Sequence, residues 1–300
     1  MPVKILIALC FFPLLLAENN WYAQSQQEEY HFPFYTGDVM AVLLQSSEDG
    51  SDTLMLVSDN SGEPLFYFSN IYTEVCETQV CYPVQLTLYW DFSGSFLGFQ
   101  IPQNHPLTKA GHKEFSPFEY FQLYTLLNHP DSKLGKLDKK DLVKHNNSSE
   151  ETPDAASGAT IHLSTETMVS GAAFTCFTLW NKVDSVNQIL TKNKSYNKMS
   201  PDVLKSKLAG IDHISPGELA LLLQSADEHG QLKKFAVQKI LTDDLNKLSP
   251  LKSLIISNFI NRQRYIYPEV AGKLKQNRQI QECFNNMIAA IDPETESRQN

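Results

Sequence analysis

Tyr72–Trp90, "YTEVCETQVCYPVQLTLYW", holds two runs rich in Val, Thr, Tyr and Leu around a short polar connection. β-branched and aromatic residues in alternating runs of this length favour extended strands. Cys76 and Cys81 bracket the connection, so the stretch predicts a β-hairpin with a cysteine on each arm. Upstream, "MAVLLQ", "DTLMLVSD" and "PLFYFSNIYTEV" repeat the texture, with Gly, Asp, Asn and Ser between them. Downstream, "DFSGSF" predicts a tight turn into one more strand, because Ser-Gly supplies the positive φ that a short turn needs. The N-terminal half therefore predicts a sheet built from consecutive hairpins.

At "FSPFEYFQLYTLLNHP" the apolar period changes. Ser116 caps, Pro117 takes the first helical position, Glu119 completes a capping box, and Pro130 lies beyond the end. From about residue 131 to 152 the chain turns polar, and the tail of that stretch predicts a surface loop. "MVSGAAFTCFTLWNKVDSVNQIL" then has the spacing of a buried helix, with Gly171, Ala172 and Ala173 allowing close packing at its entry. Beyond Ser200 the pattern is helical throughout: "SPGELALLLQSA" with a second Ser-Pro-x-Glu box at Ser215, then "SPLKSLIISNFINRQRY" and "NRQIQECFNNMIAAI". The fold class expected is α+β: an antiparallel sheet with packed helices over residues 25–195, followed by an all-α helical region over 196–300.

The first residues, "MPVKILIALCFFPLLLAENNWYAQ", place one Lys before an apolar run from Ile5 to Ala17. That run is shorter than the roughly 20 residues of a membrane helix and fits a secretory signal peptide over 1–24, cleaved after Ala17 or near Ala23. The mature chain is expected to be exported, periplasmic or extracellular, with no transmembrane segment. The chain carries 25 Lys and Arg against 34 Asp and Glu, a net charge of −9 that argues against nucleic acid as a partner. Residues 200–300 carry 13 basic against 12 acidic side chains, which leaves 12 against 22 for the rest. The acidic part precedes the helices. Outside the signal four cysteines remain. Cys76 and Cys81 suit a structural disulfide in an oxidising compartment, with a redox-active pair and a metal site as alternatives. Cys176 and Cys283 are expected as buried or free thiols.

Residues 153–160, "PDAASGAT", thin the chain to its smallest side chains. Gly158 gives conformational freedom and close backbone approach. Free backbone N–H groups ahead of a helix make a phosphate-friendly turn. A Thr hydroxyl there is able to hold a phosphoryl group as an ester, and Asp154 to order the turn. These features alone describe a small turn of weak specificity.

Asp154-x-x-Ser157-Gly158-Ala159-Thr160 resembles the flavinylation motif Asp-x-x-Ser/Thr-Gly-Ala-Thr of the FMN-binding domain family. That family includes the C subunit of sodium-translocating NADH:quinone reductase, the G subunit of the Rnf complex and many exported electron-transfer proteins. The likeness extends over roughly residues 60–190 through "LTLYWDFSGSFLGFQIP", "LTKAGHKEFSPFEYFQLYTLLNHPDSKL" and "GAAFTCFTLW". It implies an FMN-binding-like α+β domain with FMN bound covalently by a phosphoester to Thr160. Asp154, Ser157, Gly158 and Ala159 would form the recognition turn. It further implies a flavin transferase for maturation and a redox partner protein. The helical third lies outside the family domain. His112, His162, Phe174 and Trp180 are weaker candidates for contact with a flavin. The function expected is electron transfer between extracytosolic redox partners; the alternative is a non-redox binding or scaffold protein using the C-terminal helices. A stand-alone enzyme is the lesser expectation, and no residue is assigned a catalytic or metal-binding role.

Overall fold

The structure is a computed structural model that describes residues 25–26, 32–46, 52–77, 80–102, 104–129, 132–137, 142, 168–192, 201–228, 247–262 and 278–288. Six strands form an antiparallel meander whose spatial order is the chain order. They are β1 (Ser25–Gln26), β2 (Val39–Ser46), β3 (Asp52–Asp59), β4 (Pro64–Glu77), β5 (Val80–Asp91) and β6 (Phe96–Gln100). The hairpin expected from residues 72–90 is its longest ladder, running from Phe66↔Asp91 to Glu77↔Val80. Two short strands, β7 (Thr108–Lys109) and β8 (Lys113–Glu114), form a separate ladder.

Six helices are described: α1 (Pro117–Leu127), α2 (Ala173–Lys192), α3 (Pro201–Ala209), α4 (Pro216–Glu228), α5 (Pro250–Arg262) and α6 (Arg278–Ile288). The box at α1 forms as expected: Glu119 N donates to Ser116 Oγ at 3.4 Å and Ser116 N to Glu119 Oε2 at 2.8 Å. At α4 only half forms. Glu218 N donates to Ser215 Oγ at 3.1 Å, while the Glu218 carboxylate takes the Lys207 ammonium instead.

Alternate residues of a strand point to opposite faces, and here both faces are covered. Tyr67, Ile71 and Val75 join Leu86, Leu88 and Trp90 in one buried cluster, closed by Leu123 of α1 and by Phe174, Leu179 and Val183 of α2. Phe66 and Phe68 face the other way. With Val57, Tyr89 and Leu97 they share a second cluster with Leu219 and Leu223 of α4, Leu254 and Phe259 of α5, and Cys283 of α6. The sheet is thus a middle layer between two sets of helices. The boundary expected at residue 195 falls in 193–200, outside the described residues. On either side of it the described helices α2 and α3–α6 pack against the same sheet.

Contact between layers is close at Gly217, where a Cβ would stand 2.2 Å from the backbone oxygen of Pro64. Gly217→Ala is expected to push α4 off β4 and cost about 2–3 kcal/mol, as overpacking does. Urea unfolding at neutral pH checks this; a variant as stable as the parent would contradict it.

Burial also governs the thiols and phenols. It pushes the Cys176 thiol up to about 12 and Cys283 up to about 11. Tyr120 rises to about 12, and Tyr89 and Tyr124 are raised for the same reason. Below the ordinary thiol value of 9.0 these groups are neutral in both states, and their burial costs nothing extra. Above it the unfolded chain ionises first, so stability falls with rising pH until the folded groups titrate. The urea midpoint is expected to drop as pH rises from about 9 to about 11, between the ordinary thiol value and that of the folded Cys283. Cys176, fully buried, should resist alkylation until the chain unfolds; rapid labelling of the native protein would overturn its placement.

Candidate functional site

The five motif residues Asp154, Ser157, Gly158, Ala159 and Thr160 lie outside the described residues, as does His162. Description resumes at Met168, at the approach to α2. The small residues there do allow close packing: Ala110 N donates to Gly171 O at 2.8 Å, and Ala172 N to Val169 O at 3.1 Å. α2 then buries Phe174, Cys176, Leu179 and Trp180 against the sheet. The Trp180 indole donates to His129 O at 3.1 Å. Phe174 and Trp180 are therefore core residues. His112 is exposed beside the Tyr82 ring, centroids 5.1 Å apart.

Cys76 and Cys81 face each other across the β4–β5 ladder and are joined as a disulfide, with Cα atoms 3.9 Å apart. Glu74 completes a group whose ligand atoms all lie within 4.8 Å of one another. Sulfurs bonded to each other are not thiolate ligands, so a metal would need the bridge reduced first. Bridging closes the long hairpin near its tip.

Two cavities flank α2. One, of ≈ 630 Å³, lies between its middle turns and β2–β4. Leu54, Ile71, Phe177 and Val186 give it apolar walls, and Ser69 and Asn181 add hydrogen-bonding groups. The other, of ≈ 530 Å³, opens at the end of the sheet where the two helical layers meet beyond the β5–β6 turn. Its floor is the predicted "DFSGSF" turn. Asp91 N donates to Ser95 O at 2.8 Å and Gly94 N to Asp91 O at 2.9 Å, with Gly94 at φ +90°. A Cβ on Gly94 would meet Leu190 Cβ at 2.8 Å, so both dihedral and space require glycine there.

That turn has a twin between β3 and β4, Asp59-Asn60-Ser61-Gly62-Glu63, with the same backbone bonds at 2.9 Å. In both, the Asp carboxylate accepts from the Ser hydroxyl two residues on and from the N–H four residues on. The twins differ in setting. Asp59 is at the surface, its carboxyl held below the usual range by the Ser61 hydroxyl and neighbouring N–H groups. Asp91 is 2 % exposed beneath the cavity.

Unsatisfied groups gather at the same place. The side-chain oxygens of Asn128, Asn187 and Gln224 are buried and find no hydrogen-bond partner among the described residues. All three residues line the ≈ 530 Å³ cavity, and they come from the end of α1, from α2 and from α4. A buried acceptor left without a donor costs about 1–3 kcal/mol, so three around one cavity mark a place shaped by more than folding. The turn was legible in the sequence; the convergence of three amides from distant helices carried no spacing signal.

No helix among the described residues is long and apolar enough to cross a membrane. In comparisons with family models, curated proteins and solved structures, nothing matches.

Proposed function

We propose that the protein is an exported electron carrier holding FMN covalently on Thr160. The observation that carries this is the seven-residue motif Asp154–Thr160, with all its specified positions filled at the family's spacing. A flavin transferase would bring the Thr160 hydroxyl to the FMN phosphorus of FAD. The new P–O bond forms as the pyrophosphate bond breaks, AMP leaves, and the hydroxyl proton is released. Bound there, the flavin supplies one- or two-electron redox chemistry, and the chain's own groups set its exposure and surroundings.

The cavity beside α2 supports the reading in shape and chemistry. Its volume falls in the range of cofactor sites, its apolar residues suit the faces of a heterocycle, and Ser69 and Asn181 suit its polar edge. α2, the first described helix after the motif, forms one wall of this cavity. A tether keeps the cofactor with a protein that has left the cytoplasm. The acidic excess outside the helical third favours a basic redox partner, with association that weakens as salt rises. Co-expression with a flavin transferase, followed by a denaturing gel, tests the proposal: a fluorescent band supports it, and a dark band favours a non-redox binding or scaffold role for the C-terminal helices.

A further inference from the structure

We infer that the Cys76–Cys81 bridge is a thiol–disulfide exchange site, entered at Cys81 by a dithiol protein whose reactive thiols sit among basic side chains. The site is separate from Thr160 and stands whether or not the chain carries flavin. It lies on the exposed face of the β4–β5 hairpin, where Glu74, Cys81 and Pro83 are exposed and Cys76 is half-buried. The opposite face anchors the hairpin without it. Val75, Tyr82 and Val84 are buried there, and the ladder continues past the bridge to Glu77↔Val80. The two cysteines are five positions apart, so the bridge closes a loop that the ladder already closes. Cross-links stabilise less as the loop they close shortens, which leaves this one a small structural share. Exposed bridges of that kind are the ones that exchange.

Exchange here stays local. Cys176 and Cys283 are buried, and burial raises both thiols, so neither supplies a thiolate to attack the bridge. A partner thiolate attacks the Cys81 sulfur; the new S–S bond forms as the Cys76–Cys81 bond breaks, and Cys76 leaves as a thiolate that takes up a proton. The partner's second thiol then loses its proton, attacks its own sulfur in the mixed disulfide and frees Cys81, which is protonated in turn. Two electrons reach this chain, and the partner keeps the disulfide. Ladder pairing holds Cys76 opposite Cys81 throughout, so the reverse step needs no rearrangement of the strands. Charge selects the partner. A Glu74 carboxylate oxygen lies within 4.8 Å of both sulfurs, where it repels an incoming thiolate that carries further negative charge and favours one flanked by cations.

Reduction of the native protein with dithiothreitol, then iodoacetamide and peptide mapping, is expected to label Cys76 and Cys81 and leave Cys176 and Cys283 bare. Helical circular dichroism and tryptophan fluorescence should not change. The first step is read with two monothiols in large excess at low salt, cationic cysteamine and anionic 3-mercaptopropionate, by acid quench and mass mapping of the adduct. Each rate is taken relative to that thiol's rate with neutral 2-hydroxyethyl disulfide, which removes differences in intrinsic nucleophilicity. The adduct is expected on Cys81, with cysteamine favoured about three- to tenfold, the size of a charge contact at a wet surface. Glu74→Gln, at an exposed position, should at least halve that preference and leave the fold intact. The inference is overturned if reduction costs the native signals, which would make the bridge a support of the fold. It is equally overturned if the adduct maps to Cys76, or if the preference for cysteamine is absent or ignores Glu74→Gln.

Discussion

Thr160→Ala, produced alongside a flavin transferase, should run as a dark band where the parent chain fluoresces after denaturation. The effect is all or none, because the ester needs an oxygen and Ala has none. Thr160→Ser restores a hydroxyl at the same backbone position and should recover part of the signal. Ser157→Ala keeps the acceptor hydroxyl and alters the turn around it, so it should slow loading without forbidding it. A Thr160→Ala band as bright as the parent would remove Thr160 from its role, and with it the reading of Asp154, Ser157, Gly158 and Ala159 as a recognition turn.

Asn258→Ala should cost about 3–5 kcal/mol, the largest stability loss expected from a polar residue here. Asn258 is fully buried on α5. Its Nδ2 donates to Leu97 O of β6 at 2.7 Å, and its Oδ1 accepts from the Tyr124 hydroxyl of α1. One side chain thereby ties a C-terminal helix to the sheet edge and to a helix of the N-terminal half. Removing it strands a buried carbonyl at about 1–3 kcal/mol, takes one hydrogen bond from the Tyr124 phenol, and leaves a gap besides. Trp90 and Trp180 lie in the cluster under α1 and α2, on the far side of the sheet. Their fluorescence and the helical circular dichroism should move together in urea, at a lower midpoint than in the parent. Loss of helix with an unchanged tryptophan signal would show the C-terminal helices to be a separate unit.

The strands were legible because their chemistry is local. "DFSGSF" needs a glycine at positive φ, "SPFE" carries its own cap, and the two cysteines sit where an antiparallel ladder sets them opposite each other. The relation of the C-terminal helices to the sheet was less so, although Leu65-Phe66-Tyr67-Phe68 held a clue. Consecutive apolar residues on a strand supply both faces, and an antiparallel sheet buried on both faces needs a second layer to cover it. The helices after Ser200 are that layer. The polar cavity left no local trace. Asn128, Asn187 and Gln224 are ordinary helix-surface residues by spacing, and only the packing of α1, α2 and α4 brings them around Asp91. The likeness to flavinylated proteins rests on residues 154–160, which lie outside the described residues.

A bare hydroxyl becoming the attachment point of a redox cofactor changes the mass of one peptide, and that change is the most direct check. Intact-mass measurement of the protein from its own host, followed by mapping of the peptide that contains Thr160, should show a gain of one flavin mononucleotide less water. Full-length protein at its unmodified mass, with the Thr160 peptide recovered bare, would contradict the account.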